Sequence, residues 1–220
     1  MSVTIEASAV LLDMDGTLVD SSAVVERVWS DWAREHDLDP AEVIRVVHGR
    51  QGHESMAILL PERSPEQNQA DNRDVLRRET DETDGVVEIA GAGEFLRALR
   101  GSRFALVTSA TAELANARMG AAGLGVPQVA ITAEDVSASK PDPEGFLAAA
   151  VALGVDPLAC VAFEDSAAGV ASARRAGMRV VGIGAAAVAH GADWTIADLS
   201  GVRVSVGEDR ITLTLTDVVE

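Results

Sequence analysis

Lysine is nearly absent from this sequence. Of 18 basic residues in a chain of 220, only Lys140 is a lysine and the other 17 are arginines. A general bias toward arginine accounts for the 17 but not for the exception. Cysteine is as scarce: Cys160 alone cannot close an intramolecular disulfide, and its flanks Leu158, Ala159, Val161 and Ala162 point to an inert core thiol rather than a catalytic one. Long apolar runs are missing too. The longest, Val180 to Ala189, falls well short of the roughly 18 residues that a membrane-spanning helix needs. The opening Met-Ser-Val-Thr-Ile-Glu has no basic stretch of the kind that begins a secretory leader, so a cytoplasmic location is expected. Positive charge is in deficit. With a formal net charge of -17 the chain repels polyanions, which argues against nucleic acid and anionic membrane surfaces as partners. An anionic substrate would need a local, focused cationic site.

Core-forming material is abundant. Hydrophobic residues make up 47% of the chain, enough for one α/β domain, with or without a small inserted module. Residues 8 to 12 form an apolar run ending in Asp13, which reads as a buried strand delivering a carboxylate at its C-terminal edge, where open α/β sheets bind ligands. From Asp20 to Asp84 the texture becomes charged and helix-periodic. Val24, Val25, Val28, Trp29 and Trp32 mark one apolar face, and Val43, Ile44, Val46 and Val47 another. Turn signals at Pro40, Gly49, Gly52 and Pro61 divide this region into short helices. Residues 65 to 84 are so polar that only a thin buried face is expected there.

Beyond Gly85, apolar runs at 104–107, 129–131, 158–163 and 179–183 alternate with helical segments near 92–100, 112–122, 143–153 and 167–176. That alternation predicts βαβ units in a doubly wound parallel sheet. Residues 202–206 and 211–215 alternate apolar with polar around Gly207-Glu208-Asp209, the pattern of a β-hairpin. No internal repeat or low-complexity tract interrupts the scheme.

Four strand ends carry polar groups suited to phosphate chemistry. Asp13 and Asp15 are followed by Gly16, which permits a tight turn with backbone N–H groups aimed at an anion. An ionised carboxylate can act as nucleophile while a neighbour trades protons. Thr108 and Ser109 offer hydroxyl donors, or a helix N-cap. Glu164 and Asp165 are hard oxygen ligands of the kind Mg²⁺ takes, or again a cap. Lys140, in Ser139-Lys140-Pro141, is either a site cation or a solvated loop charge.

With these pieces in order, the sequence resembles the haloacid dehalogenase superfamily. The resemblance rests on Asp13-Met14-Asp15-Gly16-Thr17, Thr108, Lys140 and Glu164-Asp165, and it spans essentially the whole chain. It implies a Rossmannoid core (1–19 and 85–220) interrupted by a helical cap (20–84). It further implies that Asp13 attacks phosphorus and becomes an aspartyl-phosphate, and that Asp15 protonates the leaving oxygen and then activates water. Thr108, Ser109 and Lys140 would hold the phosphoryl group. Mg²⁺ would be bound by Asp13, the main-chain carbonyl of Asp15, and Asp165, with Glu164 in support.

The same resemblance separates the superfamily's reactions. Dehalogenases lack the second aspartate of the first motif, so Asp15 favours phosphate over halide, and phosphonatases need a cap lysine that 20–84 does not contain. A β-phosphoglucomutase-like activity remains the alternative, although Val25 stands where that enzyme places a histidine. A non-catalytic phosphosugar-binding protein is a further, weaker alternative. The segments Val25-Glu26-Arg27-Val28-Trp29 and His48-Gly49-Arg50-Gln51-Gly52-His53 look like the sugar-phosphatase group, which acts on hexose, deoxyhexose and polyol phosphates. His48, Arg50 and Gln51 are thereby candidates for substrate contacts, with His53 in reserve; His36 and His190 are given no role. The expected partner is a small phosphate ester bound by a monomer or weak dimer, with hinges near Val19–Ser21 and Asp84–Val87.

Overall fold

The computed structural model describes residues 1–47 and 49–219. The apolar run before Asp13 forms β2 (Ala9–Leu12), whose four side chains are all buried. A strand absent from the sequence reading, β1 (Val3–Ala7), precedes it. The short β3 (Val19–Asp20) then leads into four helices: α1 (Ser22–Glu35), α2 (Pro40–Val47), α3 (Gly52–Leu59) and α4 (Pro65–Asp81). The chain returns through β4 (Val87–Glu88), which pairs antiparallel with β3. The outgoing and returning segments are thus hydrogen-bonded side by side at the foot of the helical module.

After α5 (Ala92–Ala98), strands and helices alternate: β5 (Phe104–Val107), α6 (Ala112–Ala121), β6 (Ala130–Ile131), α7 (Glu144–Leu153), β7 (Cys160–Glu164), α8 (Ala167–Arg175), β8 (Arg179–Ile183) and β9 (Trp194–Ile196). The six strands of this sheet run parallel in the order β6-β5-β2-β7-β8-β9. β2 sits at the point where the winding reverses, with β5 on one side and β7 on the other. A crevice opens there beyond the carboxyl ends of the strands. Asp13, Thr108 and Asp165 each follow the last residue of a strand at this crevice, and Glu164 ends β7.

Side chains along these strands alternate between two faces. One face carries Val10, Leu12, Leu106, Val161 and Phe163, packed with Phe95, Leu99, Leu114 and Met119. The other carries Ala9, Leu11, Ala105, Val107 and Ala162 against Phe146, Ala149, Val170 and Ala173 of α7 and α8. Alanines on that second face let those helices approach closely. Cys160 is buried there with its thiol pushed up to about 11 by burial, so it stays protonated and inert.

One sequence expectation needs correction and two gain detail. The predicted hairpin exists as β10 (Val202–Val206) and β11 (Ile211–Leu215), but β1 joins it on the far side of β11 in a second, antiparallel sheet. The run 158–163 splits into a 3-10 turn at Pro157–Ala159 and β7. The helix α4 buries only the thin face expected of it, and that face is formed by Asn68, Asn72, Val75 and Glu79, three of the four polar. His36 also has a place. Its ring lies over Trp32 at 4.4 Å between centroids and its Nε2 is 2.9 Å from an Asp71 carboxylate oxygen, tying α1 to α4.

Phe163 is fully buried and its ring lies 5.0 Å from that of Phe95, so this pair anchors α5 to the strand that carries Glu164. Phe163→Ala is expected to cost about 3–5 kcal/mol; urea unfolding of the variant should show a lower midpoint with an unchanged slope.

Candidate active site

Asp13 leaves β2 with its backbone N–H bonded to the Phe163 carbonyl at 3.0 Å. Its neighbour strands bring in the rest. The Lys140 ammonium donates to Asp13 Oδ1 at 2.5 Å, to Glu164 Oε1 at 2.6 Å and to the Val107 carbonyl at 3.0 Å. All three of its N–H bonds are therefore directed, and the residue is only 6% exposed. Lys140 is not a solvated loop charge. The helix α7 begins three residues beyond Pro141.

The cap readings of the other motif residues fall to nearby side chains. Thr111 caps α6, accepting from the Leu114 N–H, while the Thr108 hydroxyl accepts from the Ala110 N–H and stays at the edge of the crevice. Ser166 caps α8, accepting from the Gly169 N–H. Glu164 is fully buried and receives the Ser166 N–H and hydroxyl, both at 3.1 Å, in addition to Lys140. Two glycines make this crowding possible. Gly16 has φ +82°, and a Cβ there would collide with the Asp165 carboxylate; a Cβ on Gly169 would collide with that of Glu164.

Asp13, Glu164 and Asp165 each place a carboxylate oxygen within 4.8 Å of the others. Burial pushes the Asp13 carboxyl up to about 7, with Glu164 adding to the rise and Lys140 opposing it. Burial likewise pushes Asp165 up to about 9, reinforced by Asp13 and Glu164. On Lys140 burial acts downward, but Asp13 and Glu164 outweigh it and hold the ammonium firmly protonated. One cation thus faces three crowded carboxylates. Such a hard-oxygen cluster, short of positive charge, fits a divalent cation such as Mg²⁺.

Asp15 is turned differently. Its Oδ1 accepts from the Ser21 hydroxyl at 2.6 Å and its Oδ2 from Arg118 Nη1 at 2.8 Å, so its carboxylate is not in the three-residue cluster. Arg118 of α6 is 4% exposed and Glu79 of α4 is 5% exposed. Neither is found by motif reading. For Glu79 a signal existed in the spacing of Asn68, Asn72, Val75 and Glu79, which places four residues on one side of α4.

A cavity of about 150 Å³ lies between the strand ends and the helical module. Asp13, Asp15, Thr108, Ser109 and Asp165 line one side; Val25, Trp29, Arg50, Asn72 and Glu79 line the other. Gln51 lines a smaller adjoining cavity together with Lys140 and Ser109, whereas His53 lines neither. Ser109 donates to the Gly49 carbonyl at 3.2 Å, holding the loop that carries Arg50 against the core. His48 lies outside the described residues.

Two carboxylates and a buried cation meet at one crevice, an arrangement suited to the hydrolysis of anionic esters. Comparisons with known proteins agree. Residues 7–177 match the family model for haloacid dehalogenase-like hydrolases. Hexitol phosphatase A of Escherichia coli is 41% identical over 179 residues, covering 80% of this chain and 83% of that protein. 2-Deoxyglucose-6-phosphate phosphatase 2 of Saccharomyces cerevisiae is 31% identical, covering 88% and 89%. The β-phosphoglucomutase of Clostridium difficile shares the fold at a TM-score of 0.77 and 20% identity, covering 88% of this chain and 92% of that one. The chain belongs to the haloacid dehalogenase-like hydrolases and is a phosphoric monoester hydrolase. No helix among the described residues is long and apolar enough to cross a membrane.

The raised carboxyls carry a stability consequence. Because Asp13 and Asp165 hold protons in the folded chain to higher pH than when unfolded, their contribution is full below the unfolded values. It declines as pH rises toward about 7 and about 9. A cation bound by the ionised cluster reverses that loss. The rise in melting temperature on adding Mg²⁺ to chelator-treated protein should therefore be larger at about pH 8 than at about pH 5. An equal rise at both would show that the cluster is not where the ion binds.

Proposed function

We propose that this chain hydrolyses a small sugar or polyol phosphate through an aspartyl-phosphate on Asp13, with Asp15 as the proton carrier. The observation that carries the reading is the Lys140 ammonium, held 2.5 Å from Asp13, which lines one cavity with Asp15, Thr108 and Asp165. The relatives named as a hexitol phosphatase and a deoxyglucose-6-phosphate phosphatase support the substrate class.

An Asp13 oxygen bonds to phosphorus as the bond from phosphorus to the leaving oxygen breaks, and the proton on Asp15 passes to that oxygen. Water then bonds to phosphorus, its proton returns to Asp15, and the bond from phosphorus to Asp13 breaks. Phosphoryl transfer of this kind depends on positioning and on neutralised charge. Lys140 keeps the Asp13 carboxylate in place and Thr108 presents its hydroxyl to the phosphoryl oxygens; Ser109, expected to do the same, instead gives its one proton to the Gly49 carbonyl. Asp13, Asp165 and the main-chain carbonyl of Asp15, supported by Glu164, are the groups that would hold Mg²⁺. When bound, that ion supplies positive charge against which the phosphate and Asp13 can approach each other.

Helices α1 to α4, residues 20–84, act as a cap over the core formed by 1–19 and 85–220, with the paired β3 and β4 as its hinge. A cap of this kind encloses small substrates and excludes water during transfer. Arg50 and Gln51 are positioned to meet the leaving group. The mutase alternative is disfavoured by Val25, which adds an apolar side chain to the cavity wall where a proton-transferring histidine would be needed.

Hexitol, deoxyhexose and short polyol phosphates with Mg²⁺ should each be tested for inorganic phosphate release. Isomerised sugar phosphate without net release, dependent on a sugar bisphosphate, is the result that would reassign the chain to the mutases. Asp13→Asn should lose on the order of 10⁴-fold or more in turnover. Lys140→Arg should fold normally and lose about 100-fold, because a planar guanidinium cannot direct three N–H bonds as the ammonium does; turnover near wild type would remove Lys140 from the mechanism.

A further inference from the structure

The helical module reaches the reacting centre through one buried chain of side chains that the mechanism above leaves unused. Trp29 Nε1 of α1 donates to Glu79 Oε1 of α4 at 3.1 Å. Glu79 Oε2 lies 3.3 Å from Arg118 Nη2, an ion pair without hydrogen-bond alignment, and Arg118 Nη1 donates to Asp15 Oδ2 at 2.8 Å. The other Asp15 oxygen takes the hydroxyl of Ser21, the residue immediately before α1. Both oxygens of Asp15 are thus held by groups that lie in, or answer to, the helices over the cavity.

Stability is a poor explanation for this chain. Bringing a guanidinium and a carboxylate to nine-tenths burial or more costs desolvation that their attraction seldom more than repays, so an apolar pair of similar volume would hold α4 to α6 as well. Arg118 moreover keeps its Nε without a hydrogen-bond partner. What an apolar pair would not do is grip the Asp15 carboxylate. The planar guanidinium presents fixed donors, so the charge attraction that holds it near Glu79 also fixes where its Nη1 meets the Asp15 carboxylate.

We propose that Arg118, itself held by Glu79, is a positioning residue that sets the orientation of the Asp15 carboxylate for its two proton transfers, so that seating of α4 on the core is sensed at the acid/base group. The inference rests on the role given above to Asp15, but not on which ester is the natural substrate.

Two kinds of leaving group test it. An alkoxide needs a proton as it departs, whereas p-nitrophenolate does not. Arg118→Lys and Glu79→Gln would be assayed with Mg²⁺ on p-nitrophenyl phosphate and on whichever of sorbitol 6-phosphate, 2-deoxyglucose 6-phosphate or glycerol 1-phosphate the wild type turns over fastest. For the alkyl ester, kcat should fall about 100-fold in Arg118→Lys and about tenfold in Glu79→Gln, with KM within about threefold of wild type. For the aryl ester, both variants should still release a rapid first equivalent of nitrophenolate and then slow, because the second step still needs Asp15 to take a proton from water. The double variant should be no worse than Arg118→Lys alone, as expected for residues acting in series.

Wild-type kcat in both variants, or a rise in KM at unchanged kcat, overturns the proposal; the latter would make the pair a substrate contact. Loss of the nitrophenolate burst in step with the alkyl reaction also overturns it, in favour of general damage to the site. Should Arg118→Lys fail to fold, the near-isosteric Glu79→Gln decides alone. If the wild type releases phosphate from none of the three alkyl esters, the substrate reading fails while the nitrophenyl arm still decides this inference.

Discussion

Lys140 and the three carboxylates around it are the constraint to which the rest of the site answers. An ammonium buried among Asp13, Glu164 and the Val107 carbonyl gives up its hydration completely, and it remains charged because two carboxylates lie within 2.6 Å. The acids are left in excess. Asp13 is raised by burial and by Glu164, and Asp165 by burial, Asp13 and Glu164, so the crowded carboxylates are a place where a divalent cation would relieve charge and let an anionic ester approach. In a chain with a formal charge of -17, this is how an anion can be bound at all: the attraction is local, and the general field opposes it.

The parallel sheet exists around that constraint in a particular way. Its winding reverses at β2, so the ends of β2, β5 and β7 deliver Asp13, Thr108 and the Glu164-Asp165 pair to one crevice, while the loop after β6 folds back to supply Lys140. Small residues then remove the remaining steric obstacles. Alanines on one face of the sheet admit α7 and α8, Gly16 admits the Asp165 carboxylate, and Gly169 lets α8 begin over Glu164. Each of these is a local choice that makes sense only beside its neighbour in space.

Helices α1 to α4 contribute chemistry as well as cover. Their apolar seam, with Val24, Val28, Trp29 and Trp32 buried, holds them together as a unit. The polar face of α4 turns inward and reaches Asp15 through Glu79 and Arg118. A cover attached by β3 and β4 alone could sit over the cavity in many ways. One that also engages the Asp15 carboxylate has its placement tied to that side chain.

The residues to which phosphate chemistry is assigned were legible in the sequence, because most stand at the end of an apolar run and carry a chemical type that a strand end rarely needs for packing. Asp13, Asp15, Thr108, Glu164-Asp165 and the single lysine are of this kind, and local pattern alone placed most strands and helices within a few residues. Other features had no such local mark. β1 pairs with β11 across more than two hundred residues, and the partnership depends on a hairpin formed by the last part of the chain. Arg118 is one arginine among 17 on a helix of weak periodicity, and the thin face expected of α4 did not say which polar residues it would bury. Which of its carboxylates would lose water was decided by the packing of α4 on α6, since charge is tolerated inside only where an opposite charge from elsewhere in the fold arrives to meet it. The sequence by itself determined which residues are candidates for the chemistry; the tertiary structure decided which of them meet and what holds them in place.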